Sequence, residues 1–193
     1  MQNLNIEITG TTALLMHGDA LADPLSDLTK DFKRVSSKRT KTDDDYEAMA
    51  RMEFRAALYV GADGGVVIPA PNIVKCLIEG ARITKSGAKV ERGLVVAATD
   101  FPLTFDGPRD LGDLYRDKRF VSRMTVKVGT SRTVRCRPIF RSWGLVASVL
   151  VDTRVLGVEE LGDIARNAGQ MIGLGDYRRG GGFGRFDARV TPA

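Results

Sequence analysis

Two stretches of helical periodicity, each bracketed by apolar strands, constrain the fold of this chain more than any other feature. The first, PNIVKCLIEGARI (71–83), opens on a proline suited to a first helical turn and puts Ile73, Val74, Leu77, Ile78 and Ala81 on one stripe, with Lys75 and Glu79 paired outside. The second, VEELGDIARNAGQMIG (158–173), carries Leu161, Ile164, Ala165, Ala168, Met171 and Ile172 on its stripe, and Gly173 supplies its stop. NLNIEIT (3–9) alternates as a half-buried strand does, with Leu4, Ile6 and Ile8 on one face. Further strands are predicted at 93–98, 144–152 and 184–190.

Strand, helix, strand, taken twice, predicts an α+β fold with a ferredoxin-like or RRM-like βαββαβ core. A chain of 193 residues with 43% apolar side chains buries one core of ordinary size, so 1–193 is expected to form a single domain. Two segments do not belong to the minimal fold and are read as insertions, at about 17–60 and 107–142. The first is predicted to run from a polar, basic loop into the helix DDDYEAMARMEFRAALY, with Thr42 as N-cap and Met49, Met52, Ala56 and Tyr59 as its inner stripe. Asp43, Asp44 and Asp45 suit the positive end of that helix; consecutive helical residues diverge, so capping explains them better than a metal does.

The second insertion is a predicted hairpin, VSRMTVKV and RTVRCRPIF, joined by Gly129, Thr130 and Ser131. Met124, Val126 and Val128 face one way and Arg123 and Lys127 the other; on the second strand Val134, Cys136 and Phe140 oppose Arg135, Arg137 and Arg141. One face should be apolar and the other basic. A three-residue turn sets Arg123 across from Arg137, and like charges facing each other on a sheet call for something negative between them. That partner is either a nucleic acid or carboxylates elsewhere in the fold.

Charge is unevenly distributed. Net charge is +5, yet residues 30–41 carry +5, 115–141 carry +8 and 178–189 carry +3, which leaves −11 for the rest. Three basic segments on an otherwise acidic chain point to a polyanion, with Lys30, Lys33, Arg34, Lys38, Arg39 and Lys41 added to the hairpin cations as candidate contacts. The third segment overlaps GLGDYRRGGGFGRF (173–186), which packs six glycines, three arginines and three aromatics into a link between a core helix and the last strand. Bare backbone there lets N–H groups approach phosphates. Arg178, Arg179 and Arg185 can reach phosphates, Gly180, Gly181 and Gly182 form the nest, and Tyr177 and Phe183 offer rings for bases to stack on. Phe186 is assigned to the core. The stretch has no GK[ST] and no preceding strand, so it is neither a Walker A loop nor a dinucleotide fingerprint.

The core helix, the glycine-rich loop with its GxGRF and the following strand resemble the C-terminal signature of the RAMP superfamily, ferredoxin-like RNA-binding proteins of CRISPR effector complexes. VIPAPNIVKCLIEGAR is similar to that family's IPxSSxKGxxR start through Pro69, Lys75, Gly80 and Arg82, with Pro71 and Asn72 where serines are commoner. The resemblance covers about fifty residues. It implies a backbone subunit of Cascade type, assembling as a homo-oligomer or filament along single-stranded RNA or DNA and contacting other effector-complex subunits, or a compact stand-alone relative from a virus or mobile element.

Some RAMP proteins are metal-independent endoribonucleases that use a histidine. His17 is the sole histidine and has acidic neighbours in Asp19 and Asp23, whereas cleavage of RNA wants a cation for the developing phosphorane. Asp19, Asp23 and Asp27 could hold a metal but are loosely spaced for one, and Cys76 and Cys136 form no CxxC. No cofactor is expected. The N-terminus has no apolar leader and the longest apolar run, GLVASVLV, is under half a membrane span, so a cytoplasmic protein without membrane contact is expected. The sequence thus reads as a non-enzymatic binder of single-stranded nucleic acid; the alternatives are a ribonuclease centred on His17 and a structural or inhibitory protein-binding relative of the fold.

Overall fold

The computed structural model describes residues 1–193, the side chain of Val128 excepted. In chain order its elements are β1 (Gln2–Gly10), β2 (Leu14–Leu15), α1 (Asp27–Ser36), α2 (Asp43–Ala57), β3 (Val67–Pro69), α3 (Ala70–Arg82), α4 (Gly87–Gly93), β4 (Leu94–Val95), β5 (Asp100–Pro102), α5 (Leu111–Arg116), β6 (Val121–Val128), β7 (Ser131–Phe140), β8 (Gly144–Val151), α6 (Val158–Asn167), α7 (Arg178–Gly181) and β9 (Phe186–Pro192). The fold is mixed α+β with antiparallel sheets. Among the described residues no helix is long and apolar enough to cross a membrane. The chain divides into two compact units: residues 1–14, 60–106 and 140–193 form the first, and residues 15–59 and 107–139, from the segments read as insertions, form the second.

The first unit is built on a four-stranded antiparallel sheet of order β4-β8-β1-β9, with α3 between β1 and β4 in the chain and α6 between β8 and β9. Alternation in β1 does what it predicts: Leu4, Ile6 and Ile8 are buried and pair with Val149, Ala147 and Leu145 of β8. Each such side chain removed from water stabilises the sheet by about 1.5–3 kcal/mol. The inner stripe of α3 is Ile73, Cys76, Leu77, Gly80 and Ala81. Gly80 allows α3 close against the end of α6, since a Cβ there would stand 2.7 Å from that of Ala168.

Three expectations for this unit change. The strand expected at 93–98 shrinks to Leu94 and Val95. The helix of 158–173 is regular only to Asn167; a wider turn spans Ala168–Ile172, and Gly173 N–H donates to Ala168 O at 2.8 Å. The extra residue per turn rotates Met171 off the stripe, to 64% exposure. Glu79 does not pair with Lys75: its side chain turns inward, 15% exposed, beneath the glycine-rich loop.

In the second unit, α2 starts as the sequence indicates, with a capping box in which Thr42 accepts from Asp45 N–H and Asp45 from Thr42 N–H. Its buried side is Ala50, Phe54, Ala56 and Ala57, while Met49, Met52 and Tyr59 are only half-buried. Phe54 claims the core because its ring meets Tyr115 of α5 edge-on, centroids 5.2 Å apart. The segment expected as a basic loop contains α1, capped by Ser26, whose side chain accepts from Thr29 N–H.

The hairpin β6–β7 forms, with a different register. Its turn is Gly129–Thr130, Val128 pairs with Ser131, Arg123 with Cys136 and Ser122 with Arg137. A one-residue change moves every side chain of one strand to the opposite face. Arg123 and Lys127 therefore share a face with Val134 and Cys136, and Met124 and Val126 share one with Arg135 and Thr133. No all-basic face exists, and Arg123 does not oppose Arg137. The side chain of Val128, expected on the apolar face, lies outside the described residues.

Candidate nucleic-acid interface

The glycine-rich stretch of the first unit is a shaped loop. Its base is stapled to the turn after β1: Gly184 N–H donates to Ala13 O at 2.8 Å, Arg185 N–H to Thr12 Oγ1 at 2.9 Å, and Thr12 Oγ1–H to Gly182 O at 2.8 Å. Trp143 Nε1–H holds Thr12 O at 2.8 Å, and Phe186 packs edge-on against Trp143 with centroids 6.2 Å apart. Phe186 is thus core, as expected, and Thr12 is a framing residue that no sequence pattern marked. Gly184 is required outright: it adopts φ +69°, and a Cβ would stand 1.8 Å from Leu174 O.

Above that base, Tyr177 adopts a left-handed conformation, Arg178–Gly181 make one helical turn, and Gly182 is again left-handed. The two neighbouring arginines divide. Arg178, 24% exposed at its side chain, turns inward, donates to Gly173 O at 3.2 Å and lies 3.6 Å from Glu79 Oε2. Arg179 lies 3.7 Å from the same oxygen, yet its side chain is 84% exposed. Arg185 points inward too, donating to Arg178 O at 3.1 Å, and its Nη1 is buried with no hydrogen-bond partner. Tyr177 is exposed and meets the half-buried Phe183 at 6.5 Å. Positions equivalent to a Cβ on Gly180 and Gly182 face open space, whereas on Gly181 one would collide with the Tyr177 ring.

Beneath the loop lies Cys76 of α3, whose Sγ–H is directed at Gly173 O, 3.3 Å away. Burial pushes its thiol up to about 12, with Arg178 and Arg185 opposing that shift and Glu79 adding to it. The thiol is protonated at neutral pH and offers no nucleophile. Glu79 is the residue the helical pattern misassigned: it sits where α3 passes under the loop, and its Oε2, buried with no hydrogen-bond partner, lies 3.6 Å from Arg178 and 3.7 Å from Arg179.

The hairpin cations of the second unit are held differently. Arg123 donates to Glu47 at 2.5 Å and to Tyr115 Oη at 3.4 Å, and Arg135 donates to Glu53 at 2.5 Å, both carboxylates coming from α2. Glu53 also accepts Cys136 N–H at 2.9 Å. The Tyr115 hydroxyl, then Arg123, holds the Glu47 carboxyl below its usual range. Arg137 is half-buried, Lys127 is exposed across from Arg132, and Arg141 is exposed in the first unit.

Of the run 30–41, Lys30, Lys33 and Arg34 lie on α1, where Lys30 pairs with Asp27 at 3.5 Å and Arg34 with Asp31 at 3.0 Å. Lys38 reaches Asp45 at 2.6 Å and holds its carboxyl low, Lys41 donates to Lys38 O at 2.7 Å, and Arg39 is exposed. His17 is exposed, its carbonyl accepting the Tyr59 hydroxyl at 3.1 Å. No group of three His, Cys, Asp or Glu side chains gathers to hold a metal among the described residues. No protein-family model matches the chain, and no curated protein matches it.

Proposed function

We propose that this chain binds single-stranded nucleic acid, RNA or ssDNA, by its backbone and without catalysing a reaction. The observation that carries the reading is the turn 177–182, where an exposed ring (Tyr177), an exposed cation (Arg179) and glycines open to solvent at 180 and 182 follow one another within six residues. Phosphate needs the cation and the close backbone; a base needs the ring; neither contact reads sequence. The sheet order β4-β8-β1-β9, with a helix crossing between each pair of core strands, is the order of a ferredoxin-like βαββαβ core and supports that reading of the first unit. Together with Pro69, Gly80 and the GxGRF of the loop it supports kinship with RAMP proteins, and hence assembly of copies side by side along a strand.

A mobility-shift titration with a cleavage control tests this. Strands longer than ~10 nucleotides should shift without being cut and with less than tenfold preference among sequences. With roughly four to six phosphates neutralised, log K should fall against log[salt] with a slope near −3 to −4, and Arg179→Ala should flatten it by about 0.7. A salt-insensitive complex, cleavage, or an Arg179→Ala variant with unchanged affinity and slope overturns the proposal.

A further inference from the structure

We propose that a cavity between α2 and α5 is a binding site for a pyrimidine mononucleotide. The inference stands on residues of the second unit alone and does not rest on strand binding by the glycine-rich loop. The cavity measures about 130 Å³. Space of about 150 Å³ with apolar walls holds one benzene-sized ring. Its floor is apolar: Phe54 and Tyr115 meet edge-on there, and Leu58 and the half-buried Leu111 complete it.

The rim is cationic. Arg51 and Arg55 stand one turn apart on α2, both exposed, and among the described residues neither guanidinium has a carboxylate or hydrogen-bond partner. Arg51 lies over the Tyr115 ring, 5.6 Å from its centroid, and Arg116 of α5, itself paired with Asp113, closes a third side. Like charges spaced i,i+4 on a helix repel. In the same unit Arg123, Arg135 and Arg34 each face a carboxylate, whereas these two stand without one beside a ring-sized apolar slot. An inorganic anion would leave the floor wet, and a neutral ring would leave the arginines facing each other. A single-ring base joined to a phosphate satisfies both, the ring entering against Phe54 and Tyr115 and the phosphate taking the planar donors of Arg51 and Arg55.

Calorimetric titration of the full chain with UMP, with uridine and inorganic phosphate as separate arms, decides it. UMP should bind saturably with Kd below about 1 mM, and uridine and phosphate each at least about tenfold more weakly. The exposed pair Arg51→Gln/Arg55→Gln should keep its melting temperature and weaken UMP at least about tenfold. Leu111→Trp, which fills the slot, should block UMP while circular dichroism stays that of the parent. No saturable UMP binding, phosphate binding as tightly as UMP, or unchanged UMP affinity in the folded arginine variant overturns the proposal. Any of these leaves strand binding standing, since Tyr177 and Arg179 are untouched.

Discussion

The glycine-rich loop and the β6–β7 hairpin hold comparable sets of arginines and are built on opposite principles. Backbone and glycine shape the loop: Thr12 staples its base, Gly184 permits its bend, and Arg179 is left at the rim with 84% of its side chain exposed. The hairpin is fastened by its charges, through Arg123 to Glu47 and Arg135 to Glu53. A cation available to a partner and a cation already engaged look alike in a sequence; the difference lies in how closely a carboxylate on another element holds it, 2.5 Å for Arg123 and Arg135 but 3.7 Å for Arg179, whose guanidinium stays in solvent.

Variants of the two regions can break that contrast. The largest effect should come from Gly184→Ala, which places a Cβ against Leu174 O at positive φ and should cost about 3–5 kcal/mol, with loss of the cooperative melt or a Tm fall of roughly 10 °C or more. A mild Tm change there would show that the loop's shape does not depend on that backbone position. Next, Glu53→Gln removes the charge facing Arg135 and weakens the acceptor for Cys136 N–H. It should cost about 2 kcal/mol, roughly 4–8 °C, whereas Arg179→Ala should leave Tm within about 1 °C. If the two variants melted alike, the contrast between engaged and available cations would fail.

Acid supplies a smaller effect of known sign. Because the folded state lowers the Glu47 carboxyl, its stabilisation is present above the ordinary Glu value of about 4.3 and is lost as pH falls through the lower folded value. Glu47 is 45% exposed at its side chain, so solvent screening limits the loss to about 0.5–1 kcal/mol. Melting curves between about pH 5 and 3 should fall less steeply for Glu47→Gln than for the parent; parallel curves would mean that the Tyr115 and Arg123 contacts to the Glu47 carboxylate carry no stability. The smallest effect belongs to Gly180→Ala, whose new methyl group meets open space and should change stability by less than about 0.5 kcal/mol. A large loss there would place Gly180 with Gly184 as part of the frame.

Local periodicity determined much of the first unit. The stripe Ile73, Leu77, Ala81 and the alternation Leu4, Ile6, Ile8 are consequences of 3.6- and 2-residue repeats with one side turned from water, and both are present. Thr42 as a cap and Phe186 as core were legible for the same reason: each depends on neighbours a few residues away or on bulk alone. What the chain could not announce locally was set by a small phase change or a distant partner. A single wider turn after Asn167 carried Met171 outward, and a two-residue turn in place of three turned Arg123 from Arg137. Glu79 left Lys75 for Arg178 and Arg179, ninety-nine and one hundred residues further along, and Arg135 found Glu53 eighty-two residues back. Sequence by itself determined which faces are apolar, because hydration acts residue by residue. Only the tertiary structure decided which charges are answered, because an ion pair needs two elements brought within about 4 Å, and that distance is set by register and packing rather than by composition.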